Sequence, residues 1–366
     1  MLTSVSIRDI FKFKSSPSQN NRMGWIDYAK GIAIVLVVYR HVEFGIRNSG
    51  VPLQQWIINL NDMLYSFRMP LFFLLSGLFF QKSIARKGEK KFLVSRVNTL
   101  LYPYVLWALI QITLQIMFPG VANAHRSVKD YLNILIQPRN LDQLWYLFAL
   151  FNVTLLYLLT SRLFKYDNIA RLLLSLVFLA LAPLVKEVSA VYDILLHYIF
   201  FCVGNITAAW FFSDKIQDKL SSMKGLLILL PVFIWMQYYF LYHQHMNLFL
   251  YALIALTGSL FVIMGSIQLE KYQILPILKL FGHYSLYIYL LHVPIVSVVR
   301  YLLLQHWIGI NVIVLLVLLI LTAIFLSIIT YRFLIQLKLG WLFQGPFTVP
   351  SYDNKNEQLA TNKNTY

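Results

Sequence analysis

The stretch that decides the fold is GWIDYAKGIAIVLVVYRHVEFGIR, residues 24–47. It opens as an apolar helix of membrane-spanning length, and then Arg40, His41 and Glu43 arrive before the apolar character is exhausted. Ionisable groups near the hydrocarbon of a bilayer are costly, so such a helix needs a polar surrounding inside a bundle, or headgroups within reach of its ends. The rest of the chain supplies the bundle. It is 59% hydrophobic and 13% charged, with apolar blocks of about 18 to 25 residues separated by short polar connections, as bilayer thickness demands. A soluble protein would spread its polar residues through its elements at the helical or strand period, and no such pattern is present.

The fold class is therefore all-α, a polytopic integral membrane protein. Ten spans are expected at roughly 26–43, 63–81, 98–118, 143–160, 169–185, 191–212, 223–242, 247–268, 280–300 and 310–337, by length and hydropathy. With ten spans both termini share a side. Placing the termini in the cytoplasm puts 23 of the 31 Lys and Arg residues inside and 8 outside, the bias that sets orientation. Three segments follow: a basic cytoplasmic tail 1–24, a membrane domain 25–340, and a polar cytoplasmic tail 341–366. The N-terminus lacks the compact apolar core of a cleavable signal peptide. The net charge of +16 collects in connections beside apolar spans, where topology and anionic lipid account for it, so no nucleic-acid partner is expected. One cysteine, Cys202, excludes an intramolecular disulfide framework.

On a helix the eleven-residue step from Lys30 to His41 returns to within roughly 20° of one face, about 16 Å further along. Asp27, Lys30, Ile34, Val37 and His41 thus share a stripe. One reading is snorkelling of Lys30 and Arg40 to opposite headgroup layers, with His41 interfacial. The other gives His41 a polar cavity and the role of general base, for which an imidazole suits near-neutral pH. In YSFRMPLFFLLSGLFF, residues 65–80, Arg68 and Pro70 open the second span, and Ser76 and Gly77 permit close helix approach. The next connection crowds Lys82, Arg86, Lys87, Lys90, Lys91 and Arg96 together, either as a topogenic, lipid-binding loop or as a binder of phosphates. In the ninth span Ser285, Tyr289 and His292 share a face, with His283 nearer the cytoplasmic end. Trp145 and Tyr146 open the fourth span as an interfacial aromatic belt or as a platform for a sugar ring. His243 and His245 are two apart in a short loop without further paired ligands, and no metal site is expected.

Four segments in order, WIDYAKGIAIVLVVYRH, RMPLFFLLSG, LWYLFALF at 144–151 and GHYSLYIYLLHVPI at 282–295, resemble the bacterial acyltransferase family 3, integral-membrane O-acyltransferases of surface and exported polysaccharides. The resemblance implies a bacterial inner-membrane enzyme that takes acetyl from acetyl-coenzyme A, with no permanently bound cofactor, and passes it to a hydroxyl of a lipid-linked or nascent exopolysaccharide. In that family the histidine ending the first span, preceded eleven residues earlier by Arg or Lys, is catalytic, which maps onto His41 and Lys30. Two arginines three residues apart often follow the second span; this chain has Arg96, with Thr99 in place of the second. Many members append a soluble hydrolase-like domain, for which residues 341–366 are too short and polar. The expected site has His41 as base, Arg68, or Arg40, as oxyanion-stabilising cation and Glu43, or Asp62, as orienting carboxylate. Lys30, Arg96, Lys90 and Lys91 are expected on the donor, and Arg40, Arg47, Trp145, Tyr146, Tyr289 and His292 on the acceptor. A direct transfer and a route through acetyl-histidine both fit. The alternative from another class is a transporter or flippase of a polysaccharide or glycolipid through the same polar bundle.

Overall fold

The computed structural model describes residues 23–119, 126–307 and 309–349. Tail residues 1–22 and 350–366 lie outside the described residues. The chain runs α1 (Gly24–Asn48), α2 (Gln55–Met63), α3 (Tyr65–Leu78), α4 (Phe80–Lys87), α5 (Glu89–Arg96), a π turn (Val97–Leu101), α6 (Tyr102–Met117), α7 (Trp145–Leu163), α8 (Asn168–Leu181), α9 (Ser189–Phe211), α10 (Asp214–Leu220), α11 (Met223–Tyr242), α12 (Leu248–Lys271), α13 (Pro276–His283), α14 (Ser285–His306) and α15 (Val312–Gln336). Short 3-10 turns lie at Val128–Ile134, Pro138–Asn140, Ala182–Val185 and Gly340–Leu342. Among the described residues there is no strand. The protein is an all-α polytopic membrane protein.

Among the described residues, eight helical segments are long and apolar enough to cross a membrane, and the pair Gln55–Leu78 and Phe80–Lys87, bent by 41° at Phe79, adds a ninth if it forms one span. Helix α1 has 25 residues, about 37 Å at the helical rise. Its length suffices, but Asp27, Lys30, Arg40, Glu43 and Arg47 keep it out of that set on composition. Its position explains the discrepancy. It packs against α2, α3, α12, α13, α14 and α15, so Asp27 and Glu43 are buried in protein, while Arg47 stays exposed near its end. Helix α11, of which only 17% is buried, is apolar nearly all round and sits at the periphery. A helix at the centre can carry charge that a helix facing lipid cannot.

Small residues set the closest approaches. A Cβ at Gly31 would overlap the Leu278 carbonyl, and one at Gly282 the Asp27 carbonyl, so α1 and α13 meet backbone to backbone. Gly77 meets Phe201 and Gly204 meets Leu74 in the same way, which fixes α3 against α9 and agrees with the expectation for Gly77. The ninth expected span is displaced: the chain breaks at Tyr284, and the apolar segment is Ser285–His306 rather than 280–300. Residues 280–283 belong instead to α13, held by the glycine contact with α1. Packed structure also continues past residue 340, through Phe343 at 3% exposure.

Two prolines interrupt helices at the site. Each removes an N–H that would have bonded the carbonyl four residues earlier. For Pro294 that carbonyl is Leu290 O, which accepts from Gln111 Nε2 on α6 at 3.2 Å. For Pro70 it is Ser66 O, which accepts from the Tyr251 hydroxyl on α12 at 3.2 Å. Neighbouring helices thus supply the donors that hydrocarbon would not.

Candidate functional site

Helix α1 carries the Lys30 to His41 stripe, and a cavity lies near each end of it. The Lys30-end cavity, about 400 Å³, is lined by Lys30 and Ile34 of α1, Ser76 of α3, Arg96 at the end of α5, Thr99 of the π turn, Tyr146 of α7, and Ser285 and Tyr289 of α14. The Arg40-end cavity, about 320 Å³, is lined by Arg40, Asp62, Tyr65, Arg139, Trp145, Tyr192, His197 and Tyr251, among others. Between them the rings of Tyr289, Tyr146, Phe73 and His197 follow one another at centroid distances of 5.7, 5.3 and 4.5 Å. The first two line one cavity and the last lines the other.

His41 and His292 meet in this region, edge to face, with ring centroids 5.2 Å apart. His292 is fully buried and its Nδ1 lies 2.8 Å from Ile288 O. A carbonyl only accepts, so Nδ1 carries the proton and Nε2 is left with the lone pair; no described residue bonds that Nε2. His41 is half-buried. Tyr289, one turn from His292, has its ring 6.3 Å from the imidazole.

The structure gives the neighbouring charged residues specific partners. Arg68, 2% exposed, donates from Nη1 to Leu36 O at 2.7 Å and from Nη2 to Asn61 O and Oδ1 at 2.8 and 2.9 Å. Asn61 Nδ2 in turn donates to Glu43 Oε2 at 2.8 Å. Glu43 therefore orients Asn61, and through it Arg68, and it pairs with Arg47 at 3.5 Å and Arg40 at 4.0 Å; it makes no hydrogen bond to an imidazole among the described residues. Arg40 pairs with Asp62 at 3.2 Å. Arg40 and Arg68 both lie over the Tyr65 ring, at 5.4 and 4.9 Å from its centroid. Lys90 and Lys91 are exposed on α5 and do not line the cavity that Arg96 lines. His283 stands on α13, on the other side of the break at Tyr284 from His292.

An assembly on the Arg40 side escaped the sequence reading. Arg139 Nε lies 2.8 and 2.9 Å from the two oxygens of Asp193, and its guanidinium lies over Trp145 at 4.8 Å and Tyr192 at 5.4 Å. The Trp145 face is thus shared with Arg139. His197 donates from Nδ1 to Asp193 O at 2.8 Å and stacks on Phe73. Asp193 and His197 sit inside an apolar span, four residues apart on one helix face, and the rule that singled out His41 would have found them.

A family model described as an acyltransferase domain matches residues 23–332, from the start of α1 through most of α15, and so takes in both cavities and the histidine pair. The chain belongs to this acyltransferase family. Among curated proteins it is similar to the nodulation protein NolL of Sinorhizobium fredii, 28% identical over 213 residues, 57% of this chain and 53% of that protein. It is likewise similar to the nodulation protein NolL of Mesorhizobium japonicum, 28% identical over 192 residues, 52% of this chain and 48% of that one. The chain thus matches about half the length of these curated relatives. No solved structure matches it.

Proposed function

We propose that the protein is a membrane O-acyltransferase that moves acetyl from acetyl-coenzyme A to a sugar hydroxyl of an exopolysaccharide or other surface-glycan intermediate, in a bacterial inner membrane. The observation that carries the reading is the contrast between two cavities whose walls reach the neighbours of the histidine pair: Arg40, next to His41, lines one, and Tyr289, one turn from His292, lines the other. One cavity is lined by two cations and no carboxylate, which suits the phosphates and thioester of the donor. The other is lined by aromatic rings and ion-paired polar groups, which suits a neutral sugar. With both termini in the cytoplasm, the Lys30 end faces the compartment where the donor is made, and the acceptor meets the Arg40 end.

In the proposed step His41 accepts the proton of the sugar hydroxyl as its oxygen bonds the thioester carbonyl carbon. The tetrahedral intermediate collapses with cleavage of the C–S bond, and the departing thiolate recovers the proton from the imidazolium. His292 Nε2 supplies a second nitrogen base beside it. Arg68, held by Asn61 and Leu36, gives a fixed positive potential close by.

The test is transfer of radiolabelled acetyl from acetyl-coenzyme A to glycan by protein purified in detergent, where a transporter would consume no thioester. His41→Gln keeps a polar side chain and removes the base, so transfer should fall by about 10²- to 10⁴-fold, the usual contribution of a general base. Near wild-type glycan acetylation by this variant, at normal protein level, would overturn the assignment.

A further inference from the structure

The π turn Val97–Leu101 lies between Arg96 and Pro103, and its geometry strands one carbonyl. Tyr102 N bonds Val97 O, five residues back, so it does not reach Asn98 O. The next donor that would serve Asn98 O is the amide of residue 103, and a proline has none. The missing donor comes from far along the chain: Gly345 N–H bonds Asn98 O at 3.0 Å. The Asn98 side chain then pairs with the backbone of Phe347 in both directions, Nδ2 to Phe347 O at 2.6 Å and Phe347 N to Oδ1 at 3.2 Å. Trp107 Nε1 donates to Leu342 O at 2.8 Å. The strap 342–347 is therefore sewn to the far side of the turn whose near side, Arg96, Thr99 and Leu100, lines the Lys30-end cavity. It also lies outside the 23–332 family match.

We infer that this strap and Asn98 are positioning elements for the donor cavity: they hold the π turn in register and so place Arg96 against the donor phosphates. The inference rests on the donor reading of that cavity. The mechanism is steric and local. A π turn is an unfavourable insertion that persists where its surroundings require it, and here the requirement is the strap's three backbone-directed bonds to Asn98. If the strap lifts, the turn is free to relax and the Arg96 side chain is displaced around the helix.

Gly345 provides the probe, since a Cβ there would sit 2.8 Å from Asn98 Oδ1 and 3.0 Å from the Tyr102 ring. The expected result is graded. In detergent, Gly345→Ala should weaken direct binding of coenzyme A slightly, and Gly345→Val and Asn98→Ala by about tenfold, the scale at which small misplacement of a binding group is felt. Acceptor KM should be unchanged. Hydrogen exchange at the amides of residues 345 and 347 reports docking independently of activity, and it should quicken in Gly345→Val and in Asn98→Ala. Faster exchange with unchanged coenzyme A affinity overturns the inference while leaving the donor reading intact. Unchanged exchange in Gly345→Val overturns the contact on which it stands. Absence of coenzyme A binding by the wild type overturns the donor reading itself, and this inference with it.

Discussion

The two cavities differ less in size than in how their charges are treated. At the Arg40 end each arginine has a carboxylate: Arg40 with Asp62, Arg139 with Asp193. At the Lys30 end the lining contains two cations and no acid, and Arg96 makes no ion pair among the described residues, resting over the Phe92 ring at 4.9 Å. A cation paired within the protein shapes a wall, whereas a guanidinium such as Arg96, in a cavity lined by no acid, attracts an anion. On the proposed function, the donor belongs at the Lys30 end and the acceptor at the Arg40 end.

The largest effect should come from unmaking the cationic character. Lys30→Ala combined with Arg96→Ala should raise the dissociation constant of coenzyme A by about 10²-fold, on the scale of one or two charge-assisted hydrogen bonds, and leave acceptor KM unchanged. Equal losses for both substrates would dissolve the distinction between the cavities. A smaller effect is expected at the other end. Arg139→Met leaves Asp193, 2% exposed, without its partner, so thermal stability should drop and acceptor KM rise about tenfold, with donor affinity unaffected. Adding Asp193→Leu should return part of the stability, because no buried charge remains unpaired. Recovery of acceptor KM as well would show the pair to be structural only. The smallest effect belongs to the exposed Lys90 and Lys91: replacing both with Ala should change donor affinity less than about twofold, as usual for solvated charges outside a site. A tenfold loss there would extend the donor site beyond the cavity, onto α5.

The sequence made α1 legible because helical periodicity alone puts Lys30 and His41 on one stripe, and the structure adds only the neighbour, His292. The all-helical membrane class was legible for the same reason, since apolar block length is a local property. Partnerships between helices were not. Glu43 invites pairing with the nearby imidazole, yet the atom it accepts from belongs to Asn61, 18 residues on. The bend at Phe79 and the break at Tyr284 accompany the packing of α3 on α9 and of α13 on α1, where Gly77 meets Phe201 and Gly282 meets Asp27, partners far apart in the chain. Arg139 reads in sequence as one more loop charge, because its partner, Asp193, is 54 residues away. The strap looked like polar tail because the atom it satisfies, Asn98 O, is stranded by a turn that no propensity marks.

The two carbonyls left open by proline have a bearing on how the chain is built into the bilayer. Leu290 O is met by a side chain made 179 residues earlier, so α14 emerges to find Gln111 already waiting. Ser66 O depends on a hydroxyl made 185 residues later. From the time α3 leaves the ribosome until α12 follows it, that oxygen has no helical donor and must borrow water or a temporary neighbour. Assembly therefore has an order: α3 can be made first, but the oxygen that Pro70 leaves open gains its donor only when α12 brings Tyr251 to it.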